Sequence, residues 1–515
     1  MGGPDSMRRF LLASVLLLGT SPAAAAWQEA RTKHFIIYSE QKTEDLRAYA
    51  ERLERYDRAV RTVRGMDDPA LSDGGKVTIF VLPNVAAVQR LHSFSGSNVL
   101  GFYLGRAEGS VAFVPSRIGA RTRVEIDADH VFQHEYMHHL QLSDQKSPLA
   151  SWMVEGIAEF FGTAGVDEDG TVRIGAPPQV RGYMVLEDVG FTTEQLLTGQ
   201  TPKNAIERES VYGKGWLLTH YLAFDKARAG QLTRYTTALG RGEKPLAAAN
   251  GAFGDLKKLE AELEKYARGK FNGLNVPPGP KPEVTVRPVS EGQAAIMAVR
   301  MRSERGVDKS SAPGVASSAR AIGQRYPGDP LVQGIVAEAE FDAKNYPAAL
   351  AAADRALAAD PNNVQAMIYK GRTLAAMAKE KGASADWAEV RRWFIRANRA
   401  DTENAEPLYL FYQTFADSGQ APTASAKEGL YYAQALAPQD MGLRLAAVRQ
   451  LLQDNKVAEA EPMFAAIAFN PHLGPSQQTK LAEVMALIRA RDGKAALAMI
   501  EAEEKKAKEE AAKRA

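Results

Sequence analysis

The sequence predicts an α+β domain in the N-terminal half of the chain and an all-α array of helical repeats in the C-terminal half. Three observations support this division of the 515 residues. Strand-like segments surround one helix before residue 127, the pattern then turns mainly helical, and a proline-rich segment at 275–290 precedes alanine-rich helices with an internal period. A chain of this length has room for more than one domain, each with its own core.

The elements of the α+β domain follow from residue type and periodicity. The segment "HFIIYSE" is β-branched and aromatic and predicts a strand, and "EDLRAYAERLERYDRAVRTVRG" has apolar residues at helical spacing and a closing glycine. The segments "KVTIFVLP", "VLGFYLG" and "GSVAFVPS" predict three further strands, bounded by glycine or proline. Strands and a helix in this order favour a mixed or antiparallel sheet.

Residues 1–26 have the layout of a secretory signal peptide. Two arginines precede an apolar run, and small residues follow it before Trp27. The apolar run is shorter than the roughly twenty residues that a membrane span needs. We therefore expect cleavage after Ala26 and a periplasmic or secreted protein without a stable membrane span; an uncleaved N-terminal anchor is the alternative.

Composition narrows the possible chemistry. The net charge of +2 gives no argument for nucleic acid as a partner. The chain has no cysteine, which excludes disulfides, thiolate zinc ligands and cysteine nucleophiles. Any bound metal must therefore be held by nitrogen and oxygen ligands.

The C-terminal half shows a repeating pattern of small residues and prolines. The segment 275–290 contains five prolines and predicts an extended connector, after which residues 291–505 form the array and residues 506–515 a charged tail. The recurring positions are Ala349, Ala356 and Pro361, then Ala426, Ala433 and Pro438, with further units ending at "FIRANRADTEN" and "FAAIAFNPHL". Small residues at fixed offsets let antiparallel helices approach closely.

This spacing resembles that of tetratricopeptide repeats. Ala337 fits the small position of a first helix, whereas Glu340 stands where that family prefers an aromatic residue. The resemblance implies a helical scaffold whose surface could bind a protein partner.

The segment "FQHEYMHHLQ", residues 132–141, carries the chemistry of the N-terminal half. His134, Glu135 and His138 spell H-E-x-x-H, and positions four apart lie on one face of a helix. Both imidazoles can therefore bind one cation from the same side. Asp127 or Asp129 is expected to cap this helix at its N-terminus. His130 lies one turn earlier on the same face, and we expect it to serve in capping or in the pocket rather than as a ligand.

A third ligand is needed, because a catalytic zinc site uses three protein ligands and keeps one position open. Glu155 follows in "WMVEGIAEFF", residues 152–161, at a distance that allows one helix to end and a second to run back. Glu159 lies four residues further and could fix the tautomer of a ligand histidine from behind it. The segment therefore predicts a metal site formed by two antiparallel helices.

These motifs together resemble the gluzincin metallopeptidases, the group that includes thermolysin and the zinc aminopeptidases. The similarity covers residues 130–162 closely and residues 33–270 only in the order of elements. It implies a thermolysin-like fold for residues 27–274 and zinc held by His134, His138 and Glu155. It also implies Glu135 as general base on the zinc-activated water and the strand "GSVAFVP" as the sheet edge that holds an extended substrate. The acidic motif of zinc aminopeptidases is absent, which favours an endopeptidase.

The family also supplies a tyrosine or histidine that stabilises the oxyanion. Tyr212 is the candidate, because it opens the next strong helical segment, "ESVYGKGWLLTHYL". His220 and Tyr183 are its rivals.

Two other functions remain open at this point. The helical array could be the working part, a protein–protein interaction scaffold of the cell envelope with a weakly active or inactive zinc-binding domain. Alternatively, the same site chemistry could hydrolyse another amide, such as one in the cell wall. The intact ligand set and Glu135 favour the peptidase.

Overall fold

The computed structural model describes residues 27–69, 71–92, 99–117, 128–144, 150–179, 182–187, 189–200, 202–382, 385–468 and 475–514. The predicted signal peptide, residues 1–26, lies outside them. The described chain is mostly helical with a small mixed sheet, which is the coarse architecture that the sequence predicts. Across these ranges, no helix combines the length and the apolar character that crossing a membrane requires.

The first part of the N-terminal half contains the four predicted strands and the predicted helix, together with a further strand, β1, and a further helix, α2, that were not predicted. Its elements are β1 (Gln28–Arg31), β2 (Phe35–Ser39), α1 (Thr43–Arg64), β3 (Val77–Leu82), α2 (Val85–His92), β4 (Phe102–Leu104) and β5 (Val111–Pro115). Helix α1 ends at Gly65, whose φ of 61° lies in the left-handed region that glycine adopts without strain.

The second part of this half is mainly helical and carries the candidate site. Its elements are α3 (Ala128–Asp144), α4 (Ser151–Gly162), β6 (Gly165–Val166), β7 (Val172–Ile174), α5 (Gly182–Leu186), α6 (Thr193–Leu197), α7 (Ala205–Phe224), α8 (Gln231–Gly240), α9 (Pro245–Phe253), α10 (Leu256–Ala267), β8 (Leu274–Val276) and β9 (Thr285–Pro288). The "SDQKSP" loop expected between α3 and α4 falls largely outside the described residues.

The larger sheet has the strand order β4-β5-β3-β2-β1-β9. Strands β2, β3 and β5 are parallel, whereas β4, β1 and β9 run antiparallel to their neighbours. The strand "GSVAFVP", expected at the sheet edge, is β5 and lies inside the sheet. The edge is β4, because "VLGFYLG" pairs with the outer side of β5 and covers it. A separate three-stranded sheet has the order β6-β7-β8.

The proline-rich segment is extended, as predicted, but it is more than a connector. Strand β8 pairs with β7, and β9 pairs with β1 so that Gln28 lies opposite Pro288. Pro288 is tolerated in β9 because this strand lies at the edge of the sheet, where a residue without a backbone N–H need not break a hydrogen bond to a neighbouring strand. The segment therefore belongs to the sheets of the N-terminal half.

Beyond it, consecutive helices pack in pairs to form the array. They are α11 (Glu291–Arg305), α12 (Ala312–Arg325), α13 (Pro330–Asp342), α14 (Tyr346–Ala359), α15 (Val364–Lys381), α16 (Trp387–Ala400), α17 (Ala405–Asp417), α18 (Ala424–Leu436), α19 (Met441–Gln453), α20 (Val457–Ala468), α21 (Pro475–Arg489) and α22 (Gly493–Arg514). The last helix runs through most of the predicted charged tail.

The small residues of the repeat pattern lie where helices meet. The alanines at 337, 349, 356, 426 and 433 are all fully buried. Glu340 is also buried, and its carboxylate accepts two hydrogen bonds from Arg320, at 2.7 and 2.8 Å, and one from Asn345. The buried carboxylate of Glu340 is thus held by an ion pair.

The array packs back against the N-terminal half. Gln439 Nε2 donates to Ser110 Oγ at 3.0 Å, and the Ala107 amide donates to Asp440 Oδ2 at 2.8 Å. At other points the Ser72 amide donates to Glu403, Arg106 to the Glu304 carbonyl and Arg489 to the Leu239 carbonyl. The loop between β4 and β5 is therefore held by residues more than 300 positions away in the sequence.

Candidate metal centre

Packing of its apolar face and hydrogen bonds with α1 hold helix α3 in place. Phe132 and Tyr136 are buried and pack edge-on against Phe35 of β2. The Tyr56 hydroxyl donates to the Gln133 carbonyl at 3.0 Å, and the Tyr136 hydroxyl donates to a buried aspartate of α1 at 2.7 Å. These contacts fix the rotation of α3 about its axis, so its opposite face can carry the candidate ligands.

The predicted cap of this helix needs a correction. Asp129 lies inside the first turn of α3 and forms an ion pair with Arg52, with Oδ2 and Nε 3.0 Å apart. An aspartate in that turn still interacts favourably with the positive end of the helix dipole. Asp127, the alternative cap, lies outside the described residues.

Three glycines allow the helices of the site to approach closely. Gly156 of α4 crosses Gly215 of α7 so tightly that a Cβ on Gly156 would lie 2.9 Å from the Gly215 Cα and nearer still to its carbonyl. At Gly162, a Cβ would meet the backbone of His134 at 3.3 Å. Helix α4 is thus packed between α3 and α7, which places Glu155 against α3 and Tyr212 of α7 close by.

The structure brings together the three predicted ligands. The Nε2 atoms of His134 and His138 are 3.2 Å apart, and Oε2 of Glu155 lies 3.4 Å from the first and 3.6 Å from the second. A tetrahedral zinc ion with bonds of 2.0–2.1 Å requires ligand atoms about 3.3–3.4 Å apart. The three atoms therefore have the mutual spacing that one zinc ion needs.

An acceptor side chain lies behind each imidazole. Nδ1 of His138 lies 3.2 Å from Oε1 of Gln141, and the Gln141 amide donates to the Val154 carbonyl on α4 at 3.2 Å. Nδ1 of His134 faces Oε1 of Glu159 at 3.6 Å. Acceptors behind Nδ1 favour the tautomer that leaves the Nε2 lone pair facing the other ligands. Glu159 lies behind His134, but 3.6 Å is too long for a hydrogen bond, so its role in fixing the tautomer stays a prediction.

Glu159 also contacts His130. Its Oε2 lies 3.3 Å from Nε2 of His130, one turn before His134. His130 is therefore next to the site but outside the group of three ligand atoms, in agreement with the pocket role expected for it.

The electrostatics of the site favour a bound cation. Burial alone would lower the pKa of His138, but the carboxylates of Glu155 and Glu135 raise it to about 9. Burial would raise the pKa of Glu155, yet the His138 and His134 rings hold it well below its usual value. An ionised, buried carboxylate beside two ring nitrogens is a strong donor set for a divalent metal.

Glu135 follows His134 on helix α3. It is half-buried, and its charge acts on His138 and on Tyr103 of β4. Burial raises the pKa of Tyr103, and the Glu135 carboxylate raises it further. The predicted general base is therefore near enough to both His138 and Tyr103 to act on them electrostatically.

The structure distinguishes two of the three candidates for oxyanion stabilisation. The ring of Tyr212 lies 5.9 Å from that of His134, centroid to centroid, so this residue is at the site. His220 is fully buried, and its two ring nitrogens bond to the Tyr266 hydroxyl at 2.8 Å and the Asn272 carbonyl at 2.9 Å. Because both of its ring nitrogens are used in these bonds, His220 is a residue of the core and not of the site. The side chain of Tyr183 lies outside the described part of the structure.

Sequence reasoning missed the partners of His139. Nδ1 of His139 is 2.7 Å from the Tyr103 hydroxyl, which is also 2.9 Å from the Ser110 hydroxyl. Burial lowers the pKa of His139 to about 3, so the ring is neutral and can accept this hydrogen bond. Because Gln439 of the array donates to Ser110, a chain of hydrogen bonds joins the array to α3.

The contact between Gln141 and His138 was not predicted either, although the i+3 spacing of the two residues is visible in the sequence.

A second group of buried ligand types surrounds His34, for which the sequence shows no partner pattern. Nδ1 of His34 is 2.8 Å from Glu54, and Nε2 is 2.9 Å from Asp68. Asp57 completes the group, and Arg61 binds it through Nε at 2.8 and 2.9 Å. Two carboxylates facing both ring nitrogens indicate an imidazolium, and the Arg61 cation already neutralises Asp57. The group is best explained as an ion-pair cluster.

Comparisons with known proteins add little. No protein-family model matches the chain, and no curated protein does either. Among solved structures, the MamA RS-1 ArsTM double mutant aligns with 37% of this chain and 94% of its own, at 14% sequence identity and a TM-score of 0.27. A TM-score this low does not establish a shared fold, and it gives no information about function.

Proposed function

We propose that this protein is a zinc-dependent peptidase acting outside the cytoplasm, and specifically an endopeptidase. The observation that carries the proposal is the convergence of the His134, His138 and Glu155 ligand atoms, each 3.2–3.6 Å from the others. Gln141 supports it, because its Oε1 lies 3.2 Å behind Nδ1 of His138, and Glu159 lies on the same side of His134 at 3.6 Å. Such support is typical of metal ligands and has no purpose in a helix that carries histidines by accident.

The chain's own residues supply the remaining chemistry. A bound zinc ion would act as a Lewis acid that polarises the scissile carbonyl and lowers the pKa of water. Glu135 then accepts the proton of the attacking water and delivers it to the leaving amine. Tyr212 is the proposed donor to the oxyanion, since its ring lies beside His134.

An extended substrate would lie along β4. Among the described residues this strand pairs with β5 alone, so its outer backbone groups can bond to a peptide in the extended conformation. Tyr103 of β4 contacts His139 of α3 at 2.7 Å, so a chain held along β4 would lie beside the helix that carries Glu135. This assignment moves the proposed substrate edge from β5 to β4.

We also propose that the array belongs to the tetratricopeptide class. The fully buried alanines at the recurring positions support this assignment. Its loops contact the N-terminal half, so it acts as a brace for the peptidase domain as well as a surface for a protein partner.

The test compares wild type with Glu135→Gln on a mixed peptide library, with the zinc content of each protein measured. We expect the variant to retain zinc and lose at least about a hundredfold in rate, as general-base removal does. Glu243→Gln, at an exposed glutamate on the same domain, is the matched control and should behave as wild type.

The wild-type result, together with two further assays, separates the rival functions. Absence of peptide hydrolysis in wild type with full zinc loading would contradict the peptidase. Partners recovered through the array would then support the scaffold, whereas cleavage of cell-wall fragments would support an amidase.

A further inference from the structure

A large groove lies on the N-terminal half, away from the candidate ligands. It has a volume of about 890 Å³ and is bounded by α1, the β1–β2 turn, Gly170 of the β6–β7 turn and residues 279–285. Pockets for small ligands range over about 300–1,000 Å³, so a ligand larger than a single ion would fit. None of the residues proposed to bind zinc lines it.

The lining of this groove is strongly basic. Seven of its nineteen residues are lysine or arginine, against 64 of 515 in the whole chain, and only three are acidic. The chain as a whole has a net charge of only +2, so the positive charge is a local feature. A concave surface with one sign of charge concentrates ligands of the opposite sign.

Some of these cations are already neutralised within the protein. Ion pairs of 2.6–2.8 Å join Arg31 to Asp73, Lys33 to Asp68 and Arg61 to Asp57. These pairs build the wall of the groove and do not contribute a free positive charge. Lys76 also lies near Asp73, with Nζ and Oδ1 3.4 Å apart, so the cations left to bind a ligand are Arg55, Arg58 and Lys281.

Arg55 and Arg58 differ from these paired cations, because packing against glycines holds them in place. They are half-buried and lie three residues apart on α1, so both point from the same face into the groove. The guanidinium of Arg55 lies directly against Gly170, and that of Arg58 against Gly279, where a Cβ would overlap each group. The two glycines therefore let the surrounding loops close onto the guanidinium planes and hold them in place.

Most donors of these two arginines remain available. Arg58 donates from Nη1 to the Pro277 carbonyl at 3.0 Å. Arg55 interacts electrostatically with the exposed Asp169, but within the part of the chain that the structure describes it makes no hydrogen bond. Lys281, on the opposite wall, is 73% exposed and only loosely paired, with Glu51 at 3.4 Å. Three cations thus face one space with unused donors.

We propose that this groove binds a phosphate-bearing ligand, with Arg55 and Arg58 contacting the phosphate oxygens and Lys281 closing the site. Fixed guanidinium groups match the oxygen spacing of a phosphate and bind it through pairs of hydrogen bonds. Phosphate fits better than a single carboxylate, because it carries more acceptors and more charge for three cations. The site is independent of the proposed peptidase activity and stands whether or not that activity is found.

The test is titration calorimetry of the full-length, zinc-loaded protein with inorganic phosphate and glycerol phosphate at low ionic strength. We expect binding by wild type and a loss of roughly a hundredfold or more in affinity for Arg55→Gln/Arg58→Gln, since each hydrogen bond to a charged group contributes about tenfold. The control is Arg302→Gln/Arg399→Gln, which removes the same charge from exposed helix positions of the array and should bind as wild type.

Three outcomes would overturn the proposal: no binding by wild type, equal binding by the groove variant, or equal loss in the charge-matched control. Circular dichroism checks that the groove variant is folded. Arg55→Lys keeps the positive charge but removes the planar guanidinium with its paired donors, so it should give an intermediate affinity. Vesicles containing phosphatidylglycerol distinguish the source of the phosphate. Competition between vesicles and glycerol phosphate indicates a lipid headgroup, and absence of competition indicates a free phosphate compound; either result supports the site.

Discussion

The crossing of α4 and α7 offers a sharp test of how the site is built. Replacing Gly156 by alanine places a Cβ 2.9 Å from the Gly215 Cα and even closer to the Gly215 carbonyl. Both obstacles are backbone atoms, so no side-chain rotation can relieve the overlap. Carbon atoms in contact are normally about 3.5–4.0 Å apart, and the two helices must therefore separate by roughly 1 Å.

This displacement has two expected costs. Overpacking of a tight interface destabilises a protein by about 1–3 kcal/mol, which lowers the thermal midpoint of a domain of this size by roughly 2–10 °C. Glu155 immediately precedes Gly156, so its carboxylate moves relative to the imidazoles of His134 and His138. A misplacement of about 1 Å can reduce a catalytic rate roughly a hundredfold.

The assay is thermal unfolding followed by circular dichroism, together with zinc content and peptide hydrolysis. Gly251→Ala is the matched control, because Gly251 lies within helix α9 and a Cβ there would meet nothing within 4 Å. We expect the control to be neutral or slightly stabilised, since alanine has the higher helix propensity. If Gly156→Ala proved as stable and as zinc-loaded as Gly251→Ala, the close crossing could not be what positions Glu155.

Three further predictions concern other parts of the molecule. Gln141→Ala should weaken zinc binding by roughly ten- to a hundredfold, measured by competition with a chelator, and unchanged affinity would remove Gln141 from the site. The pKa of His34 is raised above 6.5 because Glu54 and Asp57 outweigh its burial, so its stabilising effect is complete below pH 6.5 and is lost as the pH rises through the raised pKa. Urea unfolding across that range should show this slope in wild type and not in His34→Gln; equal slopes would contradict the imidazolium. Gln439→Leu should cost about 1 kcal/mol in urea unfolding, and no change would mean that the contact with Ser110 contributes nothing.

The parts of the fold that the sequence predicts are those with local patterns. Helix α1 has apolar residues at helical spacing and a closing glycine, so its bounds, Thr43–Arg64, follow from about twenty consecutive letters. The candidate ligands were predictable for the same reason, since H-E-x-x-H places two side chains on one helical face. The third ligand came from its short distance along the chain and from the resemblance to gluzincins.

The parts that were not predicted depend on contacts distant in sequence. Strand β9 pairs with β1 across more than 250 residues, and no periodicity within either segment reveals that partner. The position of β4 at the sheet edge depends on which side of β5 it pairs with, which the letters of the two strands do not specify. The partners of His34 follow from no local pattern, because Glu54 and Asp68 contact it only when α1 packs against β2. Burial and partners at such positions are properties of the assembled fold.

The claim on which the rest depends is that His134, His138 and Glu155 bind one metal ion together. X-ray absorption at the zinc edge, with zinc content of the purified protein, measures this directly. We predict about one zinc per chain, bound by two nitrogen and one oxygen ligands from the protein at about 2.0–2.1 Å, and loss of that zinc in His134→Ala, His138→Ala and Glu155→Ala alike. Zinc retained in the Glu155 variant with an unchanged absorption spectrum would contradict the account.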